Sequence, residues 1–285
     1  MRSVLFFLFI LLIFNKVSVA QTVVSPSGAD SLLQIEMKLK ALSDSIVRGV
    51  TDLSRQAALA EFNPLFFDLL QDPATFSYPF DSLKGVSKVR STDQRIRVIS
   101  WTVQSRTENN YKYFGVVQLM NPKTGEMKRF GLNEVRWTNE EAEQKELFPE
   151  EWYPALYYEI IERKVKKKTW YFLLGWQGNT PYTTRKVIDV LGIDAWNNVT
   201  FGAPVFIDEN QKKKYRFVFE YSAQAVMMLK YDRKKKMIVF DHLSPVSPTA
   251  KGQYQYYGPD FTYDGLVFRK GFWNYKQHLI LKNPR

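Results

Sequence analysis

The chain has 285 residues, 45% of them hydrophobic and 15% aromatic, with a formal net charge of +11. That length accommodates one large domain, or one with an appendage, and can bury a sizeable core. It contains no cysteine, which excludes disulfides, thiol nucleophiles, thiolate zinc sites and a lipid-anchored N-terminal cysteine.

The N-terminus carries the three parts of a secretory signal. Arg2 is followed by an unbroken apolar run from Val4 to Phe14, then by the small residues Ser18, Val19 and Ala20 before Gln21. The run is too short to span a bilayer. Residues 1–20 are therefore expected to be a cleaved signal peptide, and the product to be periplasmic, cell-surface or secreted. These residues hold Arg2 and Lys16 and no acid, so the remainder carries +9. For a basic exported protein the expected partners are glycans or other anionic surface polymers, not nucleic acid. No later apolar run is long enough for a transmembrane helix.

Residues 21–29, with Pro26 and Gly28, read as a disordered lead. Asp30 offers a helix N-cap. Leu32, Ile35, Leu39, Leu42, Ile46, Val50 and Leu53 then recur at spacings of three or four, one face of an amphipathic helix. Gly49 interrupts it, and a second helical piece runs to Leu70, with Pro64 kinking or dividing it. No heptad persists. Residues 30–71 therefore read as a helical hairpin packed on the main domain, residues 72–285, in preference to a partner-binding arm. Residues 71–93 read as a connector, with Pro73, Pro79 and Gly85 among Phe76, Tyr78 and Phe80.

From Arg95 the period becomes that of a strand. Ile96, Val98 and Ser100 alternate with Arg97, Ile99 and Trp101, and residues 111–120 form the return strand after a turn at 107–110. Asn121, Pro122 and Gly125 supply a further turn. The acidic stretch 138–151 reads as a helix or loop. Further strands are expected at 155–162, 169–176, 186–191, 203–207, 215–221, 226–231, 237–241, 254–257, 266–269 and 273–281. Many short strands after few helices argue a mainly β, antiparallel fold. A barrel or sandwich is expected. Ile99-Ser100-Trp101-Thr102, Leu174-Gly175-Trp176-Gln177 and Phe240-Asp241-His242-Leu243 are faintly alike, which leaves a propeller-like arrangement as the alternative.

The stretch 171–182 reads as a strand covered on both faces, breaking into a loop where Gly178, Asn179 and Pro181 supply turn chemistry. At least two of Tyr171, Leu173 and Trp176 should be largely buried. If the strands from residue 155 to 241 form a simple up-and-down meander, one end of the fold gathers Gln177, Asn179 and Tyr182 with two basic turns. Those turns hold Lys212, Lys213 and Lys214, and Arg233, Lys234, Lys235 and Lys236. A focused positive field there would favour anionic partners. The alternative is that the lysines are solvated hairpin tips that discourage edge pairing.

Catalytic signals are few. His242 follows Asp241, but neighbours on a strand point to opposite faces, so Asp241 cannot orient it. Asp260 and Asp264 are paired carboxylates among aromatic residues, as glycoside hydrolysis requires, yet Pro259-Asp260 and Asp264-Gly265 also suit turns. No phosphate loop, dinucleotide fingerprint, metal set or cofactor motif is present.

Tyr78-Pro79-Phe80-Asp81-Ser82-Leu83, Leu174-Gly175-Trp176-Gln177-Gly178-Asn179, Phe201-Gly202-Ala203-Pro204-Val205-Phe206 and Tyr256-Tyr257-Gly258-Pro259-Asp260, with Phe240-Asp241-His242-Leu243, form a pattern over most of the chain. It resembles a group of uncharacterised secreted proteins of Gram-negative bacteria with no assigned activity. The resemblance implies export and supplies no catalytic residue. The expected function is a non-catalytic binding or structural module for glycans or anionic polymers, acting without a cofactor or metal. The alternative is a polysaccharide hydrolase using Asp260 and Asp264.

Overall fold

The computed structural model describes residues 29–105, 110–165 and 168–280. The expected signal peptide and most of the lead lie outside the described residues, as do most of the 107–110 turn and Lys166 and Lys167.

Helix α1, Ala29–Arg48, buries Leu32, Leu39 and Ile46. Asp30 lies within its first turn rather than before it. The apolar face ends sooner than its spacing predicts, because Val50 is 86% and Leu53 78% exposed. The chain reverses at Gly49, and Thr51 caps α2, Asp52–Leu69, by accepting from the Ser54 N–H at 3.1 Å. Arg55 Nε donates to the Ile46 carbonyl at 2.9 Å and ties the two helices together. Pro64 does not divide α2. Phe62 and Phe66 on either side of it are both buried, and that burial outweighs the hydrogen bond which proline removes.

The first strands are β1 (Val86–Arg90), β2 (Ile96–Gln104), β3 (Tyr111–Met120) and β4 (Met127–Leu132), a four-stranded meander. After a one-turn helix α3, Asn139–Ala142, come β5 (Leu156–Val165), β6 (Lys168–Gly178), β7 (Thr183–Ile193) and β8 (Val199–Phe201). Then follow β9 (Phe206–Ile207), β10 (Lys213–Lys214), β11 (Phe217–Ser222) and β12 (Leu229–Asp232). The last are β13 (Met237–Pro245), β14 (Tyr257–Arg269) and β15 (Phe272–Lys276). The second sheet has the order β11-β7-β6-β5, with β8 also on β7; the third is β10-β9-β15-β14-β13-β12. All pairs are antiparallel except β15 with β9.

Four layers result: the helix pair, then the three sheets face to face. Phe62 and Phe66 meet Trp101 of the first sheet at ring separations of 5.9 and 5.3 Å. The first and second sheets close a core around Val98, Val117, Leu173 and Val187. The second and third close another around Phe172, Leu174, Phe240 and Trp273. The second sheet is thus covered on both sides. Tyr171 and Leu173 of β6 enter one core, Phe172 and Leu174 the other, and all four are fully buried. Alternation of strand side chains explains why that stretch is apolar at every position. Trp176, nearer the strand end, is half-buried.

The fold is mainly β and antiparallel, and it is stacked rather than closed into a barrel. A propeller needs about four or more blades in a ring, and there are three sheets. The three similar fragments fall on β2, β6 and β13, the second strand of each successive meander, so that resemblance reflects repeated meander architecture.

Several elements differ from the sequence-based reading. Strand β1 lies in the expected connector, where Ser87 and Lys88 masked it. Residues 254–256 are a turn of 3₁₀ helix, not a strand. Pro259, Asp260, Asp264 and Gly265 all lie within β14, not at turns. Ser244 and Leu243 of the long β13 pair with Gly258 and Pro259, which holds that stretch extended.

Candidate functional site

At the end of β6 the chain enters the loop before β7. Gln177 is buried: its Nε2 donates to the Pro154 carbonyl at 2.7 Å, and its Oε1 accepts from Arg185 Nη1 at 3.0 Å. Asn179 donates to Glu220 at 3.0 Å and to Thr183 at 2.8 Å. Tyr182 is 72% exposed and stands outside the cleft that its neighbours line.

That cleft, of about 350 Å³, lies between the 177–181 loop and residues of the first sheet. Its other wall comes from Tyr111 and Tyr113 at the start of β3 and from Glu134, Arg136 and Trp137 beyond β4. An adjoining hollow of about 520 Å³ shares Tyr111, Tyr113, Glu134 and Arg136 with it. Tyr113 locks the two sheets together: its hydroxyl donates to the Gly178 carbonyl at 3.0 Å, while its N–H donates to Glu134 at 2.7 Å. Tyr111 meets Trp176 edge-on at 5.6 Å. Trp137 is half-buried, its indole N–H bonded to the Glu151 carbonyl at 3.0 Å and Lys145 over its ring at 4.6 Å.

Glu220 on β11 is the hub behind the loop. It accepts from Asn139 at 2.7 Å, Thr183 at 2.8 Å and Arg185 at 2.9 Å, besides Asn179. Burial pushes its carboxyl up, but the Arg185 charge and these hydrogen bonds outweigh it and hold the group below its ordinary range. Glu134 goes the other way. Burial raises it, and the Tyr113 N–H and the charges of Arg136 and Lys112 only partly oppose that. Burial also raises the Tyr113 and Tyr153 hydroxyls, so both remain neutral hydrogen-bonding groups.

The structure does not bring both basic turns to one end. β11 is antiparallel to β7 and runs toward the loop, with Ser222 opposite Thr183 and the Ala223 N–H on the Tyr182 carbonyl at 2.8 Å. β10 and β12 form opposite edges of the third sheet. Because β9 runs parallel to β15, and hence to β13, the turn after β9 and the turn after β12 point to opposite ends. Arg233, Lys234, Lys235 and Lys236 are exposed, and Arg233 reaches Glu159 at 3.5 Å. Lys214 is tied to Glu143 at 2.7 Å. The simple meander fails because β8 and β11 both pair with β7, while β9 and β10 leave for another sheet.

Asp260 and Asp264 stand in unlike surroundings. Asp264 is fully buried and accepts from Tyr275 OH at 2.6 Å and the His278 N–H at 2.9 Å, with His242 Nδ1 at 2.7 Å. It, and not Asp241, orients His242. Asp260 is exposed and bonded by Thr262 at 2.7 Å. Among the described residues no cluster of three or more His, Cys, Asp or Glu could hold a metal ion, and no helix is long and apolar enough to cross a membrane.

Gln177 and Asn179, singled out in the sequence, line the cleft. Tyr111, Glu134, Arg136, Trp137, Arg185 and Glu220 were not singled out; the one available signal was an Arg-Trp pair in an irregular segment just before the acidic stretch. No family model, curated protein or solved structure matches the chain.

Proposed function

We propose that the protein is an exported, non-catalytic binding module that takes a glycan chain in the cleft between Tyr111 and Trp137. A sugar ring has apolar C–H faces and a polar hydroxyl edge, so its site needs aromatic surfaces beside a few fixed hydrogen-bonding groups. The observation that carries the reading is this combination: half-buried Tyr111 and Trp137 line the same cleft as Asn179, Arg185 and Glu134. The Glu220 hub restrains Asn179 and Arg185, and restraint before binding reduces the ordering cost. Binding is favoured over hydrolysis because glycoside cleavage needs two carboxylates across the bond, and Glu134 is the one carboxylate lining the cleft among the described residues. Export rests on the N-terminal pattern.

A glycan array with the purified exported protein, followed by product analysis, tests the reading. Retention of a saccharide without cleavage, weakened at least tenfold by Tyr111→Ala or Trp137→Ala, is expected. Release of shorter products, or retention indifferent to both substitutions, would overturn it.

A further inference from the structure

At the far end of β3 from the cleft, about 30 Å away at ~3.3 Å per strand residue, the surface holds a second hollow, of about 370 Å³. Arg95, Lys123 and Lys128 line it, with one carboxylate, Glu126. That carboxylate is bonded within its own hairpin by Thr124 at 3.1 Å. Among the described residues none of the three cations has a carboxylate within ion-pair distance. Lys128 Nζ donates instead to the backbone carbonyl of Trp196 at 3.1 Å.

Trp196 is 77% exposed, and its turn is braced. Asp194 Oδ1 accepts from the Trp196 and Asn198 N–H groups at 2.8 Å each, and Asn198 Nδ2 closes on Asp194 Oδ2 at 3.0 Å. The next residue, Asn197, lines the hollow. Trp196 does not itself line the hollow, but its turn flanks it through Asn197 and the Lys128 hydrogen bond, and Lys128 also acts on the Asp194 carboxyl of that turn. An exposed tryptophan on the rim of a concave surface with three cations lacking an ion-pair partner combines a residue type that dominates binding energy with a field that selects anions. A solvated hairpin tip requires the charges but not the indole.

We infer that this hollow is a second binding site, for an acidic saccharide. Arg95, Lys123 and Lys128 hold its carboxylate or phosphate group, and its ring rests on Trp196. The site shares no residue with the Tyr111 cleft, so the two readings stand or fall separately.

Titration calorimetry with an oligogalacturonate, a neutral oligosaccharide of equal length, and inorganic phosphate tests it. Binding of the oligogalacturonate is expected, with affinity falling at least threefold between 20 and 150 mM salt, as screening requires. The double substitution Lys123→Ser, Lys128→Ser at exposed positions should lower affinity about tenfold, corresponding to ~1.4 kcal/mol. Trp196→Ala should weaken the oligogalacturonate and leave phosphate unchanged, while Tyr111→Ala leaves both unchanged. Equal binding of the neutral sugar, or phosphate binding alone with Trp196→Ala silent toward the oligogalacturonate, would overturn the inference. So would no binding by any of the three.

Discussion

The ring of Tyr111 occupies the space in which a side chain at position 178 would stand. Gly178 lies in β6 with an extended backbone, and a Cβ built on it overlaps Tyr111 Cδ2 at 2.6 Å. Its lack of a side chain therefore serves close approach between two sheets, not the left-handed turn that its neighbours Asn179 and Pro181 suggest. Gly178→Ala should push Tyr111 out of the cleft wall. Saccharide affinity is expected to fall at least tenfold, while thermal unfolding shifts by no more than a few degrees, measured on the same preparation by calorimetry.

Acid should reach the cleft in two stages. Glu134 is raised above its ordinary 4.5 by burial, so it takes up a proton first, at a pH above 4.5; its folded form prefers the neutral state, and protonation there does not weaken the fold. Glu220 is depressed below 4.5. Its contribution to stability is present above the unfolded value and is lost as pH falls through the depressed one. Tryptophan fluorescence during an acid titration should show both steps. Glu134→Gln should abolish the first alone, and Glu220→Gln the second alone.

Arg216 and Asp189 form an ion pair with both side chains fully buried, Nε to Oδ1 at 3.2 Å. Burial pushes the Asp189 carboxyl up, against the pull of Arg216 and of hydrogen bonds from Val190 and Tyr157. Arg216→Met leaves that carboxylate without its cation, and should destabilise by about 3–5 kcal/mol in denaturant unfolding. Replacing both partners with apolar residues should cost far less. Equal losses would show that the pair itself, and not the orphaned charge, carries the effect.

Phe172 and Trp176 stand on one strand in unlike surroundings. Phe172 is fully buried and packs against Phe206 at 5.7 Å, Trp273 at 5.5 Å and Phe268 at 6.1 Å. Trp176 is half-buried and meets Tyr111 edge-on. Phe172→Ala should cost about 3–5 kcal/mol. Trp176→Ala should cost clearly less despite removing the larger ring, with both read from chemical denaturation.

What the sequence discloses follows from how local each cause is. The 171–174 run is legible because strand alternation forces apolar residues onto both faces of a doubly covered strand. The hairpin of β2 and β3 is legible because the period and turn chemistry agree. Asp264 is not: beside Gly265 it has the composition of a turn, and the groups that keep it in a strand, Tyr275 and His278, are contributed by later segments. The cleft fails for the same reason. Gln177 and Asn179 stand out within their own loop, whereas Tyr111, Glu134 and Trp137 reach it through inter-sheet packing that no window of neighbouring residues encodes.

The parallel pairing of β15 with β9 makes the second core depend on the last strand. β15 sits between β14 and β9, and Trp273 N–H closes on the Val205 carbonyl at 2.9 Å. A chain emerging from its N-terminus exposes Phe172 and Phe206 long before it delivers Trp273. Until then β9 has no partner on that side, and the second core lacks one of the three rings around Phe172. The second core is thus completed by a strand from the far end of the chain. Trimming behind residue 271 should therefore prevent folding altogether instead of shortening a tail.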